Sequence, residues 1–412
     1  MPGRTITIDA ADGSGSFAAY LSVPDGGSGP GLLLAQEIFG INATMRDVAD
    51  GFAEEGYVCL VPDLFWRMQP GIELGYGEED FEKAFGFYRR FDVDKGVDDL
   101  GRALAGLRAR AECSGGAGVM GFCLGGKLAY QVATRHDPDI AVAFYGVAIE
   151  QSLDEADRLD CPILFLFAGR DLFVPPVAVQ RVRETVGGRP GVEIFEYPEV
   201  DHAFYNRDRS DVYHRPSAMM AHSRSIAALR KVLGPDYDLN ALWEAHLGHE
   251  FVGRDPDATM ATMVAQPYVN HVPVMTGGVG YAELHRFYKN HFIPKTPKDT
   301  RLVPVSRTVG ADRVIDEMLF CFTHDEEIDW MLPGVAPTGK YVEIPLVAIV
   351  NFRGDKLYHE HIYWDQASVL VQIGLLDPAG LPVAGQASAA KLVDESRPSN
   401  ELMACWAESA GG

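Results

Sequence analysis

From residue 31 to residue 198 the chain alternates short apolar runs with amphipathic helical segments. This alternation limits its fold more than any other feature. "GLLLAQE" (31–37), "YVCLVPDLF" (57–65), "AGVMGF" (117–122), "IAVAFYG" (140–146), "CPILFLFAGRD" (161–171) and "VEIFEYP" (192–198) are nearly unbroken apolar stretches with β-branched residues. Between them lie segments of helical spacing. In "GVDDLGRALAGLRARAE" (96–112), Val97, Leu100, Leu104 and Leu107 share one face. Strands that are apolar on both faces must be covered on both faces, so the pattern predicts an α/β fold with a mostly parallel sheet and helices on each side. Such sheets carry their chemistry at the carboxyl ends of the strands.

The pattern stops near "LGPDYDLN" (233–240). Helical segments follow, "LNALWEAHLGHEFV" and "GYAELHRFYKNHF", and then long strand-like runs up to about residue 377. Helices followed by paired strands read as α+β. The last segment is rich in Ala, Gly, Pro and Ser and reads as extended or loosely ordered. The expected division is an α/β domain over 1–235, an α+β domain over 236–380 and a tail over 381–412.

Charge narrows the function classes. Lys and Arg number 36 against 58 Asp and Glu, a formal net charge of −22 in 412 residues. That field opposes nucleic acid and anionic membrane surfaces, though a local arginine can still bind a small anion. There is no apolar run long enough to span a bilayer, and "MPGRTITIDAADGSG" lacks the apolar core of a signal peptide. The six cysteines are scattered without a CxxC pair, which argues against a zinc ribbon or a disulfide framework and predicts a reducing, cytoplasmic setting. No cofactor and no metal are expected.

One turn stands out. In "GFCLGG", Gly121, Cys123 and Gly125 have the glycine–x–nucleophile–x–glycine spacing of a sharp strand-to-helix turn, with Gly126 adding room. Such a turn lifts its central side chain to a helix N-terminus, where backbone N–H groups stabilise a thiolate. The alternative is a tight packing turn with a buried cysteine. Downstream, Asp171 follows the apolar run "FLFAG" and His202 follows "IFEYPEVD", in the order nucleophile, acid, histidine. Glu37 closes the first strong apolar run, beside the amide of Ile38, which with that of Leu124 would form an oxyanion hole.

"AQEIFG", "VPDLF", "GFCLGG", "GRDLFVP" and "DHAF" occur in the order found in the dienelactone hydrolase family, and residues 5–233 resemble it. The resemblance implies an α/β-hydrolase fold, a catalytic triad of Cys123, Asp171 and His202, and Glu37 as the group that gates the thiol. It implies lactone or ester opening through a thioester on cysteine, with water completing the hydrolysis. Members that open dienelactones clamp a substrate carboxylate with arginines. Here Phe81 takes one such place, with Phe85 and Tyr88 at neighbouring aromatic places. Asn206 takes the other, with Arg207 beside it. Tyr145, at another strand end, is either a pocket residue or a core tyrosine. Phe204 joins these as a substrate-binding candidate.

Residues from about 238 to 377 resemble the nuclear-transport-factor-two-like superfamily of polyketide and ester cyclases, chiefly in "GDKLYHEHIYWDQASVLVQIGLL" (354–376). That implies a cone-shaped α+β barrel that binds a ligand or pairs subunits into a homodimer. On the strand "KLYHEHIYWD", a period of two sets His359, His361 and Tyr363 against Glu360, Ile362 and Trp364. Neither His359 with His361 nor His246 with His249 has a third ligand nearby in sequence. Of Asp316 and Glu317, alternation sends one inward. The rival to an enzyme is a ligand-binding or scaffold protein that keeps the hydrolase fold, and a third reading gives the second domain a catalytic step of its own.

Overall fold

The computed structural model describes residues 3–411. Its contacts divide the chain after Asp236 into two units. In the first unit, β1 (Arg4–Asp9), β2 (Ser16–Ser22), β3 (Gly29–Ala35), α1 (Ala43–Glu54), β4 (Val58–Pro62), α2 (Glu78–Arg90) and α3 (Val93–Arg108) are followed by β5 (Cys113–Phe122) and α4 (Leu124–Arg135). β6 (Ala141–Phe144), β7 (Ile163–Ala168), α5 (Pro176–Val186), β8 (Val192–Tyr197) and α6 (Arg215–Leu233) complete it.

The eight strands form one sheet in the order β1-β2-β4-β3-β5-β6-β7-β8. β1 and β2 pair antiparallel, β2 joins β4 antiparallel, and the pairs from β4 through β8 are parallel. β3, β4, β6 and β7 are buried throughout, as their unbroken apolar runs require. Two of the helices start at polar side-chain caps. Asn42 accepts the Met45 amide at the head of α1, and Asp92 accepts the Lys95 amide at the head of α3. Val97, Leu100, Leu104 and Leu107 of α3 are buried in the core that α4 also joins. β3, β5, β6, β7 and β8 are consecutive and parallel in the sheet, so the loops that leave their carboxyl ends lie along one edge.

The second unit contains α7 (Leu239–Leu247), α8 (Pro256–Ala261), β9 (Met263–His271), β10 (Thr276–Val279), α9 (Gly280–Phe287), β11 (Arg301–Val309), β12 (Arg313–Thr323), β13 (Tyr341–Arg353), β14 (Lys356–Trp364), α10 (Gln366–Gln372) and α11 (Ala387–Val393). Its sheet runs β10-β9-β14-β13-β12-β11, with β14 and β9 parallel and the other pairs antiparallel. Among the described residues no pairing joins β10 to β11, so the order is linear rather than a closed barrel. Two helices continue as π-helical turns, Gly248–Gly253 after α7 and Tyr288–Phe292 after α9. The tail is not wholly extended. α11 packs Ala389 with Leu319 and Cys321 of β12, so its small and apolar residues form a helix on the sheet.

Candidate active site

The turn after β5 has no room for a side chain at Gly121, Gly125 or Gly126. A Cβ on Gly121 would stand 1.9 Å from the Gly125 carbonyl oxygen, one on Gly125 2.1 Å from that of Ala35, and one on Gly126 2.6 Å from that of Phe144. The glycines therefore let α4 start directly against the ends of β3 and β6. Cys123 itself sits at φ 56° and ψ −114°, a conformation that costs a non-glycine residue roughly 1–3 kcal/mol and persists only where the surroundings enforce it. Its amide donates to Phe144 O at 3.1 Å, and Gly125 N donates to Gln36 O at 3.1 Å. Leu124 is the first residue of α4, so its amide falls among those a helix leaves unpaired.

The other three strand ends deliver the remaining groups. After β8, His202 is buried and its Nδ1 lies 2.7 Å from Asp171 Oδ2, which follows β7. Asp171 is fixed through its other oxygen, which accepts the amides of Phe173 at 2.8 Å and Val174 at 3.1 Å. His202 Nε2 is buried with no hydrogen-bond partner and is left for a reacting group. Burial pushes the imidazole down. The charge of Cys123 and the Asp171 carboxylate outweigh that and raise His202 to about 10.

Glu37 follows β3 and is 5% exposed. Burial pushes its carboxyl above the ordinary range, against the pull of the His202 charge and the Asn206 hydrogen bond. Oε1 accepts from Tyr145 OH at 3.3 Å and Oε2 from Asn206 Nδ2 at 3.0 Å. Behind it runs a chain of polar groups. Asn206 and Asn42 donate to Tyr76 OH at 2.9 and 3.1 Å, Tyr76 donates to Thr44 at 2.8 Å, and Thr44 donates to Asp208 at 2.6 Å.

Glu37, Ile38, Cys123 and His202 line one cavity whose apolar wall includes Phe81, Phe85, Tyr88 and Phe173. Two expected residues lie elsewhere. Arg207 is exposed and does not line the cavity; Arg209 does, with its guanidinium 5.7 Å from the Phe81 ring and 2.9 Å from Asp211 Oδ2. Phe204 is fully buried between Tyr145 and Tyr197, because Ala203 at φ 66° turns the chain inward. Tyr145 is also buried and reaches the site through its hydroxyl on Glu37 and through its ring, which stands edge-on to His202 at 5.0 Å. Tyr76, Asn42 and Thr44 carried no sequence signal, since Tyr76 lies in irregular chain before α2.

A mostly parallel sheet, a strained strand-to-helix turn and a histidine–aspartate pair on later strand ends define an α/β-hydrolase. The chain belongs to the dienelactone hydrolase family, whose profile matches residues 17–233, more than half of its length. Carboxymethylenebutenolidase of Pseudomonas sp. strain P51 is 36% identical over 228 residues, 55% of this chain and 94% of that one. Carboxymethylenebutenolidase of Pseudomonas putida is 36% identical over 222 residues, 54% of this chain and 93% of that one. A dienelactone hydrolase-like promiscuous phosphotriesterase from metagenomic libraries has 18% identity and a TM-score of 0.49, covering 57% of this chain and all of that one. The chain is thus a carboxylic ester hydrolase. No helix among the described residues is long and apolar enough to cross a membrane.

Proposed function

We propose that the chain hydrolyses an uncharged lactone or small ester through a thioester on Cys123. The observation that carries this is the buried Nε2 of His202, which faces Cys123 across one cavity with no other side chain bonded to it, while Asp171 holds the other ring nitrogen. In the proposed cycle Glu37 takes the thiol proton, helped by the burial that raises its basicity. The thiolate adds to the carbonyl carbon, and the oxyanion takes hydrogen bonds from the amides of Leu124 and Ile38. The carbon–oxygen bond breaks, and the departing alkoxide takes the His202 proton. Acylation neutralises the sulfur, which removes one of the two charges that hold that proton. Neutral His202 then takes a proton from water, whose oxygen attacks the thioester. Thiolate leaves beside the restored imidazolium, and Glu37 returns its proton to sulfur. Asp171 orients the ring throughout.

The apolar wall favours an uncharged substrate. Phe81 supplies a ring, and the Arg209 guanidinium is already paired with Asp211. Hydrolysis of a panel of lactones and activated esters by the full chain, with Cys123→Ala as the blank, tests the reading. Activity that survives in the blank rejects it. We also propose that residues 238–377 form a nuclear-transport-factor-two-like unit that pairs into a homodimer through the outer face of its sheet. Exposed Ile315, Tyr341 and Tyr363 on its strands support that pairing. Light scattering of the full chain would give a single-chain mass if the pairing does not occur.

A further inference from the structure

The second unit holds a buried polar cluster that ester hydrolysis does not use. His246 lies on α7, Glu250 on the π-helical turn that follows it, and Glu360 on β14. They are 0%, 5% and 3% exposed. Glu250 and Glu360 line a second cavity whose other walls are apolar and aromatic, among them Trp243, Phe292 and Trp330. His246 Nε2 is 3.1 Å from Glu250 Oε1 and 3.2 Å from Glu360 Oε1.

The tautomer of His246 is set from behind. Thr262 Oγ1 gives its proton to Thr259 O at 2.7 Å and so accepts the Nδ1 proton of His246 at 2.6 Å. Nε2 is then the nitrogen that faces both carboxylates. A proton placed there points to Glu250, and the buried Glu360 Oε1 is left without a well-aligned donor, with only the Tyr288 hydroxyl nearby. Two ionised carboxylates against one imidazolium would also carry a net negative charge inside an apolar cavity, which is costly, and burial pushes the Glu250 carboxyl above its ordinary range. A divalent ion removes both problems. It accepts the Nε2 lone pair and both oxygens, and the sum of charges becomes zero.

The spacing suits it. Two ligand atoms each about 2.1 Å from one ion lie about 3.0–3.4 Å apart at octahedral to tetrahedral angles. Ligand atoms of all three residues lie within 4.8 Å of one another. A metal-ligating imidazole usually donates its far N–H to an acceptor that fixes the ring, and Thr262 Oγ1 is that acceptor here. Both π-helical turns contribute: the first brings Glu250 and the second brings Tyr288, whose hydroxyl lies against both carboxylates. One-turn π distortions are frequent at functional sites.

We propose that His246, Glu250 and Glu360 bind one divalent first-row transition ion, such as manganese or zinc, with its open coordination positions facing the aromatic cavity. The test is manganese binding by the full chain after dialysis against a chelator, followed by titration calorimetry and electron paramagnetic resonance. Manganese is chosen because thiolates, Cys123 among them, compete poorly for it. The expected result is one ion per chain. Glu360→Gln, nearly isosteric, should weaken binding at least about 100-fold. Thr262→Val, which removes no ligand, should weaken it about 10- to 100-fold. Cobalt loaded in place of manganese should show visible bands of nitrogen and oxygen ligation that change in His246→Gln. Circular dichroism confirms that each variant is folded; if His246→Gln is not, Glu360→Gln and Thr262→Val carry the test. No ion bound by the folded wild-type chain would overturn the proposal, as would equal affinity in Glu360→Gln. Either result would leave the cluster as an imidazolium between two carboxylates.

Discussion

Asp171→Asn separates an orienting carboxylate from a packing residue. One oxygen of Asp171 accepts the amides of Phe173 and Val174 at 2.8 and 3.1 Å, and an asparagine carbonyl can keep both bonds. The loop should therefore stay in place and the melting temperature should change little. The other oxygen lies 2.7 Å from His202 Nδ1. In the variant that position becomes an NH₂ group, which donates. Nδ1 must then accept, and the ring proton moves to Nε2, the nitrogen that faces the reaction cavity. A ring protonated there when neutral cannot take a proton from water. Where this substitution reverses the tautomer in a catalytic triad, turnover falls about 10⁴-fold. That is about 5 kcal/mol of barrier at 1.36 kcal/mol per tenfold. The assay is steady-state hydrolysis of an activated aryl ester from pH 5 to 10, with thermal melting to confirm the fold. Turnover within tenfold of wild type in a folded variant, with an unchanged pH profile, would refute the role given to Asp171.

Three further outcomes follow from the same geometry. Glu37→Gln should leave the protein folded and lower turnover about 100-fold or more, the usual size for a lost proton-transfer group; an unchanged rate would reduce Glu37 to a buried turn residue. A neutral lactone should be hydrolysed at least as well as its carboxylate-bearing analogue, and a strong preference for the acid that disappears in Arg209→Ala would show that Arg209 serves as a clamp. Asp171 and the Cys123 sulfur, where it is ionised, raise His202 from 6.5 to about 10 in the folded chain, so its charge stabilises the fold fully below pH 6.5 and that contribution is lost as pH rises through 10. Chemical denaturation of wild type should show this loss and that of His202→Gln should not; parallel curves would contradict the shift.

Much of the first unit was legible because its signals are local. The β5–α4 turn could be read from spacing, since nothing larger than glycine fits at 121, 125 and 126. The placement of Glu37, Asp171 and His202 just past strand ends was legible because the apolar runs before them become β3, β7 and β8, which end two, three and five residues earlier. The loop after β8 could not be read this way. It folds through successive tight turns, Asn206 N to Ala203 O and Arg209 N to Asn206 O, which bring Arg209 rather than Arg207 to the cavity. Sequence spacing has no period for such a path. In the second unit, the alternation along β14 correctly set Glu360, Ile362 and Trp364 on one face. They are buried, whereas Tyr363 is exposed; His359 of the other set is buried too, beside irregular register at that end of the strand. The helical segments read as continuous, and the π-helical turns that aim Glu250 and Tyr288 inward were missed. Their apolar spacing is that of an ordinary helix. The partner of His246 and Glu250 stands more than 100 residues away on β14, and no local pattern announces it.

The central claim is that sulfur carries the acyl group, and intact-protein and peptide mass spectrometry test it most directly. The full chain is mixed with a slowly turned-over aryl ester and quenched in acid within the first turnover. The account predicts a mass increase of one acyl group per chain, mapped to Cys123, cleaved by hydroxylamine and absent in Cys123→Ala. It also predicts that the adduct persists longer in His202→Gln, where the base for deacylation is missing. An adduct on Cys59, Cys113, Cys161, Cys321 or Cys405 with Cys123 unmodified, or a Cys123→Ala variant that still turns over the ester, would contradict it.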